Sequence, residues 1–165
     1  MKLSELDCSN RINVGIADFK LGFEGDCLHT ILGSCVGVSL WDKVNKVGGL
    51  VHIMLPHARK QNVKVYKYAD IAIPEMIKQL QKKKFDIKNA VAKLTGGASM
   101  FQISETSFLS DIGKQNVIKC RELLKKYNIP VVGEDVEGTK GRTIDFVIRT
   151  GSVFVKRIKE EPKEI

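Results

Sequence analysis

Two residues in this chain have the types and spacing that acyl-transfer chemistry needs. They are Cys35, in "HTILGSCVGVSLWD" (29–42), and His52, in "LVHIML" (50–55). A cysteine thiolate attacks carbonyl carbon well, and an imidazole can take the thiol proton and return it to a leaving group. Gly33 and Ser34 precede the cysteine. Glycine lets the backbone turn sharply and brings amide N–H groups near a substrate, where they stabilise an oxyanion beside the sulfur. A neighbouring imidazolium lowers a thiol pKa and supplies thiolate near neutral pH. The same residues also fit a bland reading: cysteine is often a small buried hydrophobe, and a histidine between Val51 and Ile53 is often a core or edge residue.

A metal site is a competing use of these side chains. Cys27, His29, Cys35 and His52 would make a tetrad, but their spacing is not the short clip of a structural zinc site. The four cysteines, Cys8, Cys27, Cys35 and Cys120, are separated by 19, 8 and 85 residues and match no CxxC pattern. Free thiols are the expectation in a reducing cytosol. No metal is expected, and His57, after a proline on a polar loop, is given no role.

The elements that position the pair follow from periodicity. "RINVGIADF" (11–19) predicts a strand, and "FEGDC" a turn. Residues 28–41 predict an extended stretch broken at Gly33. "DKVNKVGG" (42–49) then predicts a hairpin connection whose return strand, 50–55, brings His52 back alongside Cys35. A helix is expected over 67–84, because Ala69, Ala72, Ile73, Met76, Ile77 and Leu80 share one face. Pro74 should mark its first turn or a kink. "NAVAKLTGGA" (89–98) predicts a buried strand, residues 113–127 a second helix with Val117, Cys120, Leu124 and Tyr127 inward, and "IPVVGEDV" (129–136) a further strand. The stretch 143–158 predicts a hairpin turning at Thr150-Gly151, and the tail 159–165 a frayed end.

Many strands with two sizeable helices, not in strict alternation, argue for an α+β layered fold. A length of 165 residues favours one domain, with its core over about 12–158. The absence of GxGxxG after the first strand argues against a dinucleotide site. No apolar run approaches the ~20 residues of a membrane span, and the N-terminus lacks a signal-like apolar core, so a cytoplasmic protein without membrane insertion is expected. The net charge of +8 is concentrated in runs such as "QKKKF" and "VKRIKEEPK". Such runs form solvated faces, and nothing in the sequence resembles an RNA-binding motif, so no nucleic-acid partner is expected.

Seven segments carry more specific information: "TILGSCVGVSLWD", "GGLVHIMLP", "KYADIAI", "AKLTGGASMF", "IGKQNV", "IPVVGEDVEGTKGR" and "TGSVFVK", in this order over about 12–156. Together they resemble CheD, the bacterial chemoreceptor glutamine deamidases. The resemblance implies an α/β sandwich of layered sheets flanked by helices, similar to the catalytic domain of cytotoxic necrotising toxins. It implies deamidation of glutamines on methyl-accepting chemotaxis receptors, with glutamyl methyl ester hydrolysis in some members. It also implies a CheC-type phosphatase as partner and no cofactor. A non-catalytic adaptor binding that phosphatase and receptors is the alternative.

The family's Cys-His-Thr site carries over as Cys35 of "GSCV" and His52 of "H-x-MLP", with Ser34 and Gly33 supporting the oxyanion. Some members carry the threonine six residues before the cysteine, where this chain has His29; Thr30 is one residue nearer. A one-residue shift along a strand reverses side-chain direction. Thr30 is assigned as the third residue, with His29 as the alternative orienter of the imidazole. In "GGASMF", Gly96-Gly97 permits a tight turn, while Met100 and Phe101 offer an apolar patch to a partner. Lys140 and Arg142 in "GTKGR" read as a solvated basic turn or as an anion contact.

Overall fold

In chain order the elements are β1 (Asn10–Asn13), β2 (Phe19–Phe23), β3 (Asp26–Leu32), β4 (Val36–Asp42), β5 (Val47–Ile53), α1 (Ala69–Gln81), β6 (Ala90–Gly96), α2 (Ile112–Lys126), β7 (Val131–Val136), β8 (Arg142–Val147), β9 (Val153–Lys156) and β10 (Lys163–Glu164). They come from a computed structural model that describes residues 5–60, 64–100 and 111–165. Two five-stranded sheets form, ordered β1-β3-β8-β9-β10 and β2-β5-β4-β6-β7. The α+β layering anticipated from the element order is the architecture found.

Alternation along each strand sorts the core into layers. Leu28 and Leu32 of β3, Leu50 of β5, and Ile144 and Phe146 of β8 pack together between the sheets. The other face of the second sheet, with Val36, Val38 and Leu40 of β4 and Val51 and Ile53 of β5, packs against both helices. The six apolar residues of α1 that share one face in sequence are all buried there. Full burial of a side chain such as Leu50 or Phe146 contributes about 1.5–3 kcal/mol relative to exposure.

Five expectations need correction. First, the strand expected over 11–19 is divided between the sheets. Ala17 takes φ 55°, and the chain crosses so that β1 runs parallel to β3 while β2 pairs antiparallel with β5. Second, Pro74 lies inside α1, beyond its first turn; its missing N–H deprives only the Asp70 carbonyl of a helical partner, and burial of the apolar face carries the helix through. Third, Cys8 and Cys27 are joined in a disulfide, with Cα atoms 5.8 Å apart. The parallel register that sets Asn10 beside Asp26 brings them together.

Fourth, the tail is not frayed at its end: Lys163 and Glu164 pair with Val155 and Phe154, and the Ile165 N–H donates to the Val153 carbonyl at 3.0 Å. Fifth, Arg142 is not solvated. Its side chain and that of Asp135 are each 1% exposed and form an ion pair. Asp135 also binds Arg157 and Lys163, so burial of the carboxylate is compensated by several cations. Through Lys163 that cluster adds an ionic contact to the backbone pairing of β10 with β9.

Candidate active site

The β4–β5 hairpin positions the chemistry. Asp42 closes it by accepting hydrogen bonds from the Val44 and Asn45 backbone N–H groups and from Asn45 Nδ2. That turn sets a register in which Gly37 faces His52 and Val36 faces Ile53. Gly37, Leu50 and His52 therefore point between the sheets. Cys35, two positions before Gly37, packs on the same inter-sheet cluster. Diagonal cross-strand neighbours of this kind are about 7–8 Å apart at Cα, within side-chain reach.

Across the sandwich, β3 supplies the third residue. Leu28, Thr30 and Leu32 point inward, whereas Cys27, His29 and Ile31 point outward. Thr30 Oγ1 lies 2.8 Å from His52 Nδ1. It also donates to the Val14 carbonyl at 2.7 Å. A hydroxyl has one proton. With that proton given to the carbonyl, the tautomer that fits carries its proton on Nδ1 and donates it to Thr30. Nε2 then holds the lone pair. It is buried and has no hydrogen-bond partner, so it is free to accept a proton. His29, on the outer face, instead pairs with Asp145 at 2.8 Å.

Burial acts on both members of the candidate pair. It raises the Cys35 thiol above its ordinary value, partly offset by the residue's own backbone N–H, which lies toward the sulfur. It lowers the His52 imidazole, partly offset by the Val14 carbonyl. Both shifts favour the uncharged forms. Neither shift has the other residue among its causes, so the thiol and the imidazole each favour the neutral form on their own. Such a pair works by general-base removal of the thiol proton during attack.

The loop before Cys35 is held through its carbonyls. Gly33 O accepts from Ala98 N at 2.9 Å and Cys35 O from Gly97 N at 2.8 Å. Ser34 O accepts from Asn116 Nδ2 at 3.2 Å. A Cβ on Gly96, which takes φ +100°, would fall 2.2 Å from Cys35 O. Gly96 is therefore required for the GGA turn to approach the Cys35 loop, while a Cβ on Gly97 would meet Val117 and Gly113 of α2. Met100 is 51% exposed and packs over Gly33, where a Cβ would meet its Sδ at 2.4 Å. Phe101 lies outside the described residues.

Two participants were missed from sequence. The Val14 carbonyl carries no sequence signal, because it is main chain delivered by the crossover between sheets. Asn116 did carry one: it is a polar residue at a buried helical position, with Gly113, Val117 and Cys120 on the same face. The competing metal tetrad does not assemble. Cys27 is bonded to Cys8, and His29 faces away from His52; among the described residues no cluster of three His, Cys, Asp or Glu side chains is placed to hold a metal. No helix among the described residues is long and apolar enough to cross a membrane.

Comparison with known proteins adds the lineage. Two solved structures share a loose likeness. A Neisseria meningitidis protein of the DUF152 family has TM-score 0.48 and 10% identity, with 82% of this chain and 65% of that one covered. The C-terminal domain of CNFy from Yersinia pseudotuberculosis has TM-score 0.36 and 11% identity, covering 94% and 61%. Neither bears on the chemistry at that distance. Sequence relatives are much nearer. A protein of Clostridium kluyveri named "Probable chemoreceptor glutamine deamidase CheD" is 44% identical over 157 residues, covering 93% of this chain and 97% of its own. One of Clostridium acetobutylicum with the same name is 40% identical over 159 residues, covering 94% and 96%. Residues 54–157 match the family described as CheD chemotactic sensory transduction. That span begins just past His52, while the alignments with relatives extend over nearly the whole chain. By both measures the chain belongs to the CheD family.

Proposed function

We propose that this chain is a chemoreceptor glutamine deamidase working by thiol chemistry, with Cys35 as nucleophile, His52 as general base and acid, and Thr30 as the residue that orients the imidazole. One observation carries the assignment of roles. Thr30 Oγ1 lies 2.8 Å from His52 Nδ1, and Nε2 is buried without a partner on the face that Cys35 shares. Membership in the CheD family supports the substrate class, glutamines of methyl-accepting chemotaxis receptors in the cytoplasm, and a CheC-type phosphatase as partner. The Met100 patch beside Gly33 is where such a partner would reach the nucleophile loop.

The cycle balances without a cofactor. His52 Nε2 takes the Cys35 proton as sulfur attacks the glutamine side-chain carbonyl carbon. The backbone N–H of Cys35, with the Gly33-Ser34 turn supporting it, faces the developing oxyanion. Collapse breaks the C–N bond, and the imidazolium gives its proton to the departing ammonia; without that proton an amide ion would have to leave. Neutral His52 then takes a proton from water, which attacks the thioester. Glutamate forms, and the proton returns to the Cys35 sulfur. A glutamyl methyl ester passes through the same steps with methanol leaving.

The test is incubation of the purified protein with receptor cytoplasmic fragments. Ammonia should appear, and specific glutamines should gain about 1 Da, the amide-to-acid change of this acyl transfer. Cys35→Ala should abolish both while remaining folded. Full activity in a folded Cys35→Ala variant overturns the reading.

A further inference from the structure

Three consecutive carbonyls of the nucleophile loop, those of Gly33, Ser34 and Cys35, are each held by a donor outside the loop. Two of the donors are backbone N–H groups of the GGA turn. The third is a side chain, Asn116 Nδ2, which also donates to the Met54 carbonyl at 2.8 Å. Ser34 adjoins Cys35, and Met54 follows His52 by two residues. One buried amide thus ties the segment leading into the nucleophile to the segment leaving the histidine strand.

The Ser34 contact has a stereochemical consequence. A trans peptide is planar, with its C=O and N–H pointing in opposite directions. The Ser34 carbonyl and the Cys35 N–H belong to the same peptide. Asn116 holds the carbonyl toward α2 and thereby turns the Cys35 N–H the other way, to the side where the sulfur lies. Asn116 is fully buried, and its Oδ1 has no partner. A buried acceptor left unpaired costs about 1–3 kcal/mol, and an apolar side chain of the same shape would avoid that cost. The donor end, then, is the part that accounts for an asparagine here.

We propose that Asn116 is a positioning residue that fixes the Ser34–Cys35 peptide so that its N–H serves as an oxyanion donor. This rests on the deamidase reading above and adds to it a residue from α2 that contacts neither the nucleophile sulfur nor the imidazole.

The experiment compares the parent protein with Asn116→Leu and Asn116→Ala, using whichever variants keep a cooperative melting transition. Two readouts are taken: ammonia release from receptor fragments, and the pH profile of Cys35 alkylation by iodoacetamide. Loss of one oxyanion donor should lower kcat about 100-fold, with KM within about threefold of the parent value because ground-state binding is untouched. The alkylation midpoint should move to higher pH, since the N–H no longer stabilises the thiolate. A folded variant with parental kcat and an unchanged alkylation profile overturns the proposal. So does a fall in kcat matched by an equal rise in KM, the mark of general loosening. If the parent releases no ammonia, the deamidase reading fails, and the alkylation comparison alone decides Asn116: a raised midpoint supports the positioning role, and an unchanged one overturns it.

Discussion

Replacing Thr30 by valine probes the orienting contact with almost no change of shape. Thr30 is 3% exposed, and its single hydroxyl serves both the Val14 carbonyl at 2.7 Å and His52 Nδ1 at 2.8 Å. Valine removes both bonds. Each orphaned buried group alone would cost about 1–3 kcal/mol. The Val14 carbonyl already lies beside the imidazole, so the two orphans can pair with one another and limit the total to about 1–3 kcal/mol. The catalytic loss should be of similar size. An imidazole re-paired to the Val14 carbonyl instead of Thr30 is displaced, and misplacement by about 1 Å can cost 100-fold. Steady-state ammonia release from receptor fragments should show kcat reduced about 10- to 100-fold in Thr30→Val. Thr30→Ser, which keeps the hydroxyl, should recover most of it. A folded Thr30→Val with kcat within about threefold of the parent would refute the orienting role, as would a Ser variant no better than Val; the threefold margin allows for the context dependence of single-contact energies.

Other outcomes follow from the same geometry. Alkylation of Cys35 should rise only above the ordinary thiol range, because burial raises its pKa, while Cys120, pushed up to about 12, should stay unlabelled until unfolding; rapid Cys35 labelling at pH 6 would contradict a neutral resting pair. Burial holds the His52 pKa below its ordinary 6.5, so the unfolded chain binds the proton first as pH falls. The stability tied to neutral His52 is complete above pH 6.5 and is lost as pH drops through the lower folded-state value. Urea midpoints measured across that window should fall in the parent and fall less in His52→Gln. Gly96→Ala places a Cβ 2.2 Å from Cys35 O at φ +100°; a loss of about 1–3 kcal/mol from the backbone alone, with reduced activity, should appear in denaturation and turnover assays. Reduction of the Cys8–Cys27 bond, which spans 19 residues, should lower unfolding free energy by about 3 kcal/mol, read as a lower urea midpoint with dithiothreitol.

Much of the frame was legible in the sequence because it rests on local periodicity. The apolar steps of α1 and of the inner face of α2 required amphipathic helices. The Gly33 break and the 42–49 connection required a hairpin that returns His52 toward Cys35. Those signals need only neighbours along one strand or one helix face, and the structure follows them closely. Pro74 shows the limit of local rules, since tertiary burial of the apolar face of α1 outweighs one missing hydrogen bond.

Tertiary structure decided what depends on two distant segments meeting. Alternation says that His29 and Thr30 point to opposite faces of β3, but it cannot say which face meets the second sheet, because both faces carry apolar neighbours. Packing Leu28 and Leu32 between the sheets turned Thr30 to the imidazole and left His29 to Asp145. The split of the expected 11–19 strand between two sheets placed the Val14 carbonyl, and parallel β1–β3 pairing brought Cys8 to Cys27. The sequence alone singled out Cys35 and His52 as the candidate pair, one just before β4 and the other on β5. The fold decided which groups surround them, because those neighbours come from main-chain and side-chain contacts between the two sheets and α2.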